Sequence, residues 1–118
     1  MFKVIFGDQP IRVTAVGSAP DEYILDLGYQ VTGLTLVIRL YSSTATGGSP
    51  TVRVGIETAL ELRDDVWFSL DDFVDLTVVG SKDKDKRDFA SPLRYIRWYV
   101  SNMNDVSDAV FLIYGVAH

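Results

Sequence analysis

The chain contains no cysteine, a single histidine, four prolines and no long apolar run. Without thiols there can be no disulfide, thiolate zinc site, iron–sulfur cluster or cysteine nucleophile, since only Met1 and Met103 carry sulfur. The one imidazole belongs to His118, the last residue, where chain ends usually fray. No internal histidine is therefore at hand to act as base for a serine, and a Ser-His-Asp triad is not expected. No stretch approaches the ~20 apolar residues of a membrane span. The start, Met1 to Phe6, carries one positive charge and ends at Gly7-Asp8-Gln9-Pro10, too brief for a signal-peptide core. Positive charge is also scarce: 11 basic against 16 acidic residues leave a net −5, which argues against sequence-blind nucleic-acid binding.

What remains is an apolar, turn-rich chain of 118 residues, 47% hydrophobic. A folded chain of this mass exposes roughly 6,400 Å² against roughly 19,000 Å² when extended, enough burial for one unstapled domain spanning 1–118. Turn signals at 7–10, 17–21, 28–29, 42–50, 63–65, 80–88 and 101–107 cut it into about seven or eight short segments. Several have the period of two that a strand with one buried face requires. Leu34, Leu36, Ile38 and Leu40 share one face, opposed by Thr35, Val37, Arg39 and Tyr41. Val52, Val54, Ile56, Thr58, Leu60 and Leu62 form a second inward set, and Ile96, Trp98 and Val100 a third. Two long strands are expected to begin at Ser49-Pro50 and Ser91-Pro92, because proline lacks the ladder donor and belongs at a strand start. Two helical alternatives exist: good helix formers over 57–65, and capping-box spacing of Ser69 and Asp72, which allows a turn near Asp71–Phe73.

With no helix pattern to cover a sheet, apolar sheet faces must cover each other. The expected fold is all-β: a two-sheet antiparallel β-sandwich of the jelly-roll type, with about eight strands and 42–50 as a crossover between sheets.

The candidate chemistry is sparse. Glu57 and Glu61 would project from one strand face about 13 Å apart at ~3.3 Å rise per residue, farther than either glycosidase separation, and read as a solvated face. Asp64, Asp65, Asp71, Asp72 and Asp75 could collect oxygen ligands for calcium, or could serve loop solubility and turn capping. The segment Lys82 to Asp88 nearly alternates in sign and reads as a mobile, solvated hairpin tip. No catalytic residue, cofactor or metal is assigned. If Ile96, Trp98 and Val100 face the core, then Tyr95, Arg97 and Tyr99 share an outer face, as do Arg39 and Tyr41 on another strand. Tyrosine and arginine are the residue types enriched at protein–protein contacts, and Arg97 would complement an acidic edge such as Asp64–Asp65 on a neighbour. The final segment, Ala109 to Ala117, is apolar on both faces. One face of an antiparallel sandwich should be wet, so this strand, with Phe111 and Ile113, is expected to be covered by another subunit.

Taken in order, Ser49-Pro50-Thr51-Val52-Arg53-Val54-Gly55-Ile56-Glu57-Thr58, Val66-Trp67-Phe68-Ser69-Leu70, Leu93-Arg94-Tyr95-Ile96-Arg97-Trp98-Tyr99-Val100-Ser101-Asn102 and the closing apolar strand resemble small virion structural proteins of tailed phages and phage-derived particles. The likeness covers positions 30–117. It implies a jelly-roll sandwich without catalytic residues that works as a head decoration, minor capsid or tail protein. Such a protein would form a homo-oligomer, a trimer or higher order being one form of it, on a capsid or tail assembled in the bacterial cytoplasm; charge and the lack of an apolar span add the expectation of no nucleic-acid or membrane partner. The alternative expectation is a carbohydrate-binding module that uses Tyr41, Tyr95 and Tyr99 as a stacking platform.

Overall fold

A computed structural model describes residues 1–80 and 82–118. Its strands are β1 (Phe2–Ile5), β2 (Ile11–Val13), β3 (Gly17–Ser18), β4 (Leu25–Asp26), β5 (Gly33–Ala45), β6 (Thr51–Ala59), β7 (Phe68–Asp72), β8 (Lys84–Ala90), β9 (Tyr95–Asn104) and β10 (Val106–Ala117). One sheet, A, runs β1-β10-β5-β8 with β2 also on β10. The other, B, runs β3-β9-β6-β7 with β4 also on β9. Every pairing is antiparallel. Because β1 and β2 occupy successive parts of β10, and β3 and β4 successive parts of β9, the ten strands fill eight positions. Two four-position sheets between which the chain keeps crossing form the expected jelly roll. The 46–50 loop, with Pro50 just ahead of β6, carries one of those crossings.

The alternation read from the sequence is the alternation of burial. Leu34, Leu36, Ile38 and Leu40 of β5 face Val52, Val54 and Ile56 of β6, Ile96, Trp98 and Val100 of β9, and the inner side of β10. Phe111 meets the Trp98 ring edge-on at 5.3 Å, and Tyr23 packs on the same indole at 5.6 Å. Thr58, the one buried polar side chain among the described residues, is satisfied twice: its hydroxyl donates to the Tyr95 carbonyl and accepts from the Leu93 amide, both at 2.8 Å. The exposed surface, 6553 Å², is close to that expected from mass.

Several readings of the sequence are corrected. The inward set of β6 stops at Thr58 and the strand at Ala59, so Leu60 and Leu62 lie exposed in the following loop. That loop is not helical, and Asp71 and Asp72 end β7 rather than forming a turn. Most of the charged 82–88 segment is strand β8, hydrogen-bonded to β5 from Gly33↔Ala90 to Arg39↔Lys84. Its inward-pointing charges hold it: Arg87 donates to the Asp72 carbonyl, and Asp85 accepts from the Val74 amide at 3.0 Å. His118 is not frayed, because its amide donates to the Gly33 carbonyl at 2.9 Å and its carbonyl accepts from Thr32 and Gly33. Finally, Pro92 does not open β9 directly. Ser91 takes a left-handed conformation (φ 55°) and the strand starts at Tyr95.

Candidate functional site

Tyr95, Arg97 and Tyr99 do alternate outward on β9, yet each is engaged within its own chain. Arg97 Nε donates to Glu57 Oε1 at 3.0 Å across the β9–β6 pair, and its guanidinium lies 4.0 Å from the centre of the Trp67 ring. Ser18 donates to the same carboxylate oxygen at 2.7 Å. The two charged side chains are only 12% and 19% exposed, so Arg97 is not a free positive point for a neighbour's Asp64–Asp65, as the sequence reading had it. Its charge is met by Glu57. Nor are Glu57 and Glu61 a shared solvated face: Glu61 lies beyond the strand end, 3.5 Å from Arg63.

Tyr99 reaches across an entire strand. Its ring lies over Gly55 of β6, where a Cβ would sit 2.6 Å from the phenol, and its hydroxyl donates to Asp72 on β7. Ser69 is a further hydroxyl partner at 2.9 Å. Burial, reinforced by the neighbouring Asp72 carboxylate, pushes the phenol up to about 12. Tyr95 stands beside Arg94, whose guanidinium is 4.9 Å from both the Tyr95 and Tyr29 rings and forks onto Asp26 at 2.9 and 3.0 Å. That fork, together with the Gly28 amide, holds the Asp26 carboxyl below its ordinary value.

Beside this face opens a cleft of about 410 Å³, with Trp67, Tyr95 and Ile24 as apolar wall and Asp21, Asp26 and Asp64 as carboxylates. Arg97 and Arg63 also border it, but Arg97 is paired to Glu57 and Arg63 to Asp65 and Glu61. Asp21 and Asp64 have no ion pair among the described residues. Sequence reasoning missed this cleft. Asp21 sits on a 3₁₀ turn (Asp21–Tyr23) far along the chain from Trp67, and nothing local announces that they meet. The aspartates weighed for calcium do not converge. Asp65, Asp71 and Asp75 go to Arg63, Arg87 and Arg53, and Asp72 to Tyr99. Among the described residues no group of three or more potential ligands could hold a metal ion.

The outer face of sheet A is built differently. Phe111 and Ile113 do not belong to it: both are fully buried in the core, because Phe111 pairs with Leu40 and Ile113 with Ile38 on the inward side. The outward residues of β10 are Leu112, Tyr114 and Val116 instead. Between Val110↔Ser42 and Phe111↔Leu40 the register slips, leaving Tyr41 as the extra residue of a bulge, with Arg39 stacked 4.9 Å over its ring. Directly opposed residues share a face, so one row runs Ile5, Tyr114, Val37, Lys86, the next Leu112, Arg39, Lys84, and a third Lys3, Val116, Thr35, Asp88. The centre is apolar, with Ile5 and Tyr114 exposed. Lys3, Arg39, Lys84 and Lys86 form no ion pair among the described residues, whereas all the other arginines do. Four cations against Asp88 give this face a surplus of three on a chain of net −5, leaving −8 for the rest.

The structure therefore separates residues the sequence grouped by type. Arg39 and Tyr41 lie on sheet A, while Tyr95, Arg97 and Tyr99 lie on sheet B, so Tyr41, Tyr95 and Tyr99 cannot form one platform. No helix among the described residues is long and apolar enough to cross a membrane. Compared with known proteins, the chain matches no protein-family model and no curated sequence.

Proposed function

We propose that this chain is a non-enzymatic assembly subunit, a jelly-roll domain that binds copies of itself and a larger protein particle. The particle in view is a phage-like head or tail, on which it would serve as a decoration or minor structural protein. One observation carries the reading: the outer face of sheet A combines an apolar centre, exposed at Ile5 and Tyr114 and half-buried at Leu112 and Val37, with four cations that form no ion pair among the described residues. Desolvating that centre is favourable and orienting charges surround it, the composition of a protein contact with an apolar core and polar rim. A nucleic-acid strand fits it poorly, because the apolar centre offers phosphates nothing and the remaining −8 repels them. Light scattering on the purified chain at high micromolar concentration tests the reading. Masses of a dimer or larger are expected, and a clean monomer would overturn it.

A second reading has its own observation. The cleft beside β9 pairs two aromatic rings, Trp67 and Tyr95, with unpaired carboxylates, which suits a small sugar as well as a side chain. A glycan array separates the two. Retention that is lost on Trp67→Ala, by a protein that stays monomeric, would favour a carbohydrate-binding module.

A further inference from the structure

We infer that copies of this chain join head to tail, the outer face of sheet A on one copy seating Lys84 or Lys86 in the Trp67–Tyr95 cleft of the next. The inference rests on the assembly reading and specifies its geometry. Charge decides against the symmetric alternative. Two sheet-A faces laid on each other would bring Lys3, Arg39, Lys84 and Lys86 from both sides into one contact with only Asp88 from each to offset them, and like charges across an interface are strongly disfavoured. A head-to-tail contact instead sets the face with three surplus positive charges against a neighbour whose remaining surface carries −8.

The cleft supplies the matching chemistry. Its arginines are neutralised by Glu57, Asp65 and Glu61 and its Asp26 by Arg94, so the carboxylates of Asp21 and Asp64 are left without a counterion among the described residues. A lysine ammonium completes them, and its methylene stem can lie along the apolar wall of Trp67, Tyr95 and Ile24. A cleft of about 410 Å³ is roomy enough for one such side chain with water. The two surfaces sit on opposite sheets, so they cannot meet within one molecule. Each copy keeps one open face and one open cleft, and the contact propagates into a ring if the rotation closes and into a filament if it does not.

Two variants test this: Lys84→Ser/Lys86→Ser, which keeps the cleft, and Asp21→Asn/Asp64→Asn, which keeps the face. Far-UV circular dichroism first establishes that both retain the parent fold, as expected for exposed positions. In size exclusion with light scattering, each variant alone should associate at least about tenfold more weakly than the parent, a change of about 1.4 kcal/mol. An equimolar mixture should form a one-to-one pair that grows no further, because only one complementary contact remains. Parent-like assembly by either variant alone overturns the head-to-tail contact while leaving the assembly reading in place. A monomeric parent overturns both, and parent-like assembly of the aspartate variant with lost glycan retention assigns the cleft to a sugar.

Discussion

Removing the Glu57 carboxylate perturbs a nearly buried ion pair directly. The Arg97 guanidinium is held by that carboxylate at 3.0 Å and by the Trp67 ring at 4.0 Å, and only 12% of the side chain reaches solvent. Glu57→Gln keeps the size and an acceptor but leaves a nearly buried cation without a counter-charge. Breaking a fully buried pair costs about 3–5 kcal/mol. Because 19% of Glu57 is exposed and water can reach part of the site, a cost of about 2–3 kcal/mol is expected here. At an unfolding entropy of about 0.25 kcal/mol/K for a chain of this length, that lowers the melting midpoint by about 8–12 °C. Arg97→Met should cost less, about 1–2 kcal/mol, since Glu57 retains the Ser18 hydroxyl and can turn to water. Thermal melts of the parent, both single variants and the double variant give the coupling energy, expected at about 1–2 kcal/mol. Quenching or a red shift of Trp67 emission in the Arg97 variant would report loss of the stacked cation. A coupling below about 0.5 kcal/mol would place the pair among ordinary surface ion pairs and refute the reasoning.

Three further outcomes are expected. In an alkaline titration followed by phenolate absorbance, a component absent from a Tyr99→Phe variant should ionise with a midpoint near 12; the stability Tyr99 contributes is whole below about pH 10 and is lost as pH rises toward 12. Gly55→Ala should return that titration toward the ordinary range and cost about 1–3 kcal/mol, because its Cβ collides with the Tyr99 ring and Asp72. Phe111→Ala should cost about 3–5 kcal/mol of stability, whereas Leu112→Ser, one residue on but facing out, should leave the fold near parental stability and weaken self-association. Equal effects of the two on melting would contradict the register of β10.

The strands that could be read ahead are those whose two faces meet different solvents. In β5, β6 and β9 one side touches the core and the other water, so selection of apolar side chains at every second position leaves a visible period. That period overshoots at Leu60 and Leu62 because it reports residue type, not hydrogen bonding, and both leucines belong to the loop beyond β6. Strand β8 was illegible for the opposite reason. Its inward residues Asp85 and Arg87 are charged, bonded to the end of β7 and the residues after it, so the segment lacks any apolar alternation until Phe89. On β10 the two-sided apolar run was visible, but that Phe111 and Ile113 take the inner side follows from their pairing with Leu40 and Ile38 of β5, which no local pattern gives. The cleft could not be read at all. It joins the 3₁₀ turn at Asp21, the loop residue Trp67 and the β9 residue Tyr95, three places related only by the fold.

The charged inner side of β8 has a consequence for how such a molecule fails to aggregate. A sheet ends in rows of open amides and carbonyls that invite another chain's strand, and natural proteins blunt them with short strands, bulges, lysines or inward charges. All four margins of this sandwich are blunted in one of those ways. One margin of each sheet is broken into fragments, β1 with β2 and β3 with β4; β7 slips register opposite Ile56 and Glu57; β8 carries Lys84 and Lys86 outward and Asp85 and Arg87 inward. A strand added beside β8 would have to shield those inward charges from water. Stacking of chains into a continuous cross-β ribbon is therefore opposed at every margin, and contacts between copies are left to the broad surfaces of the two sheets, where side chains can choose the partner.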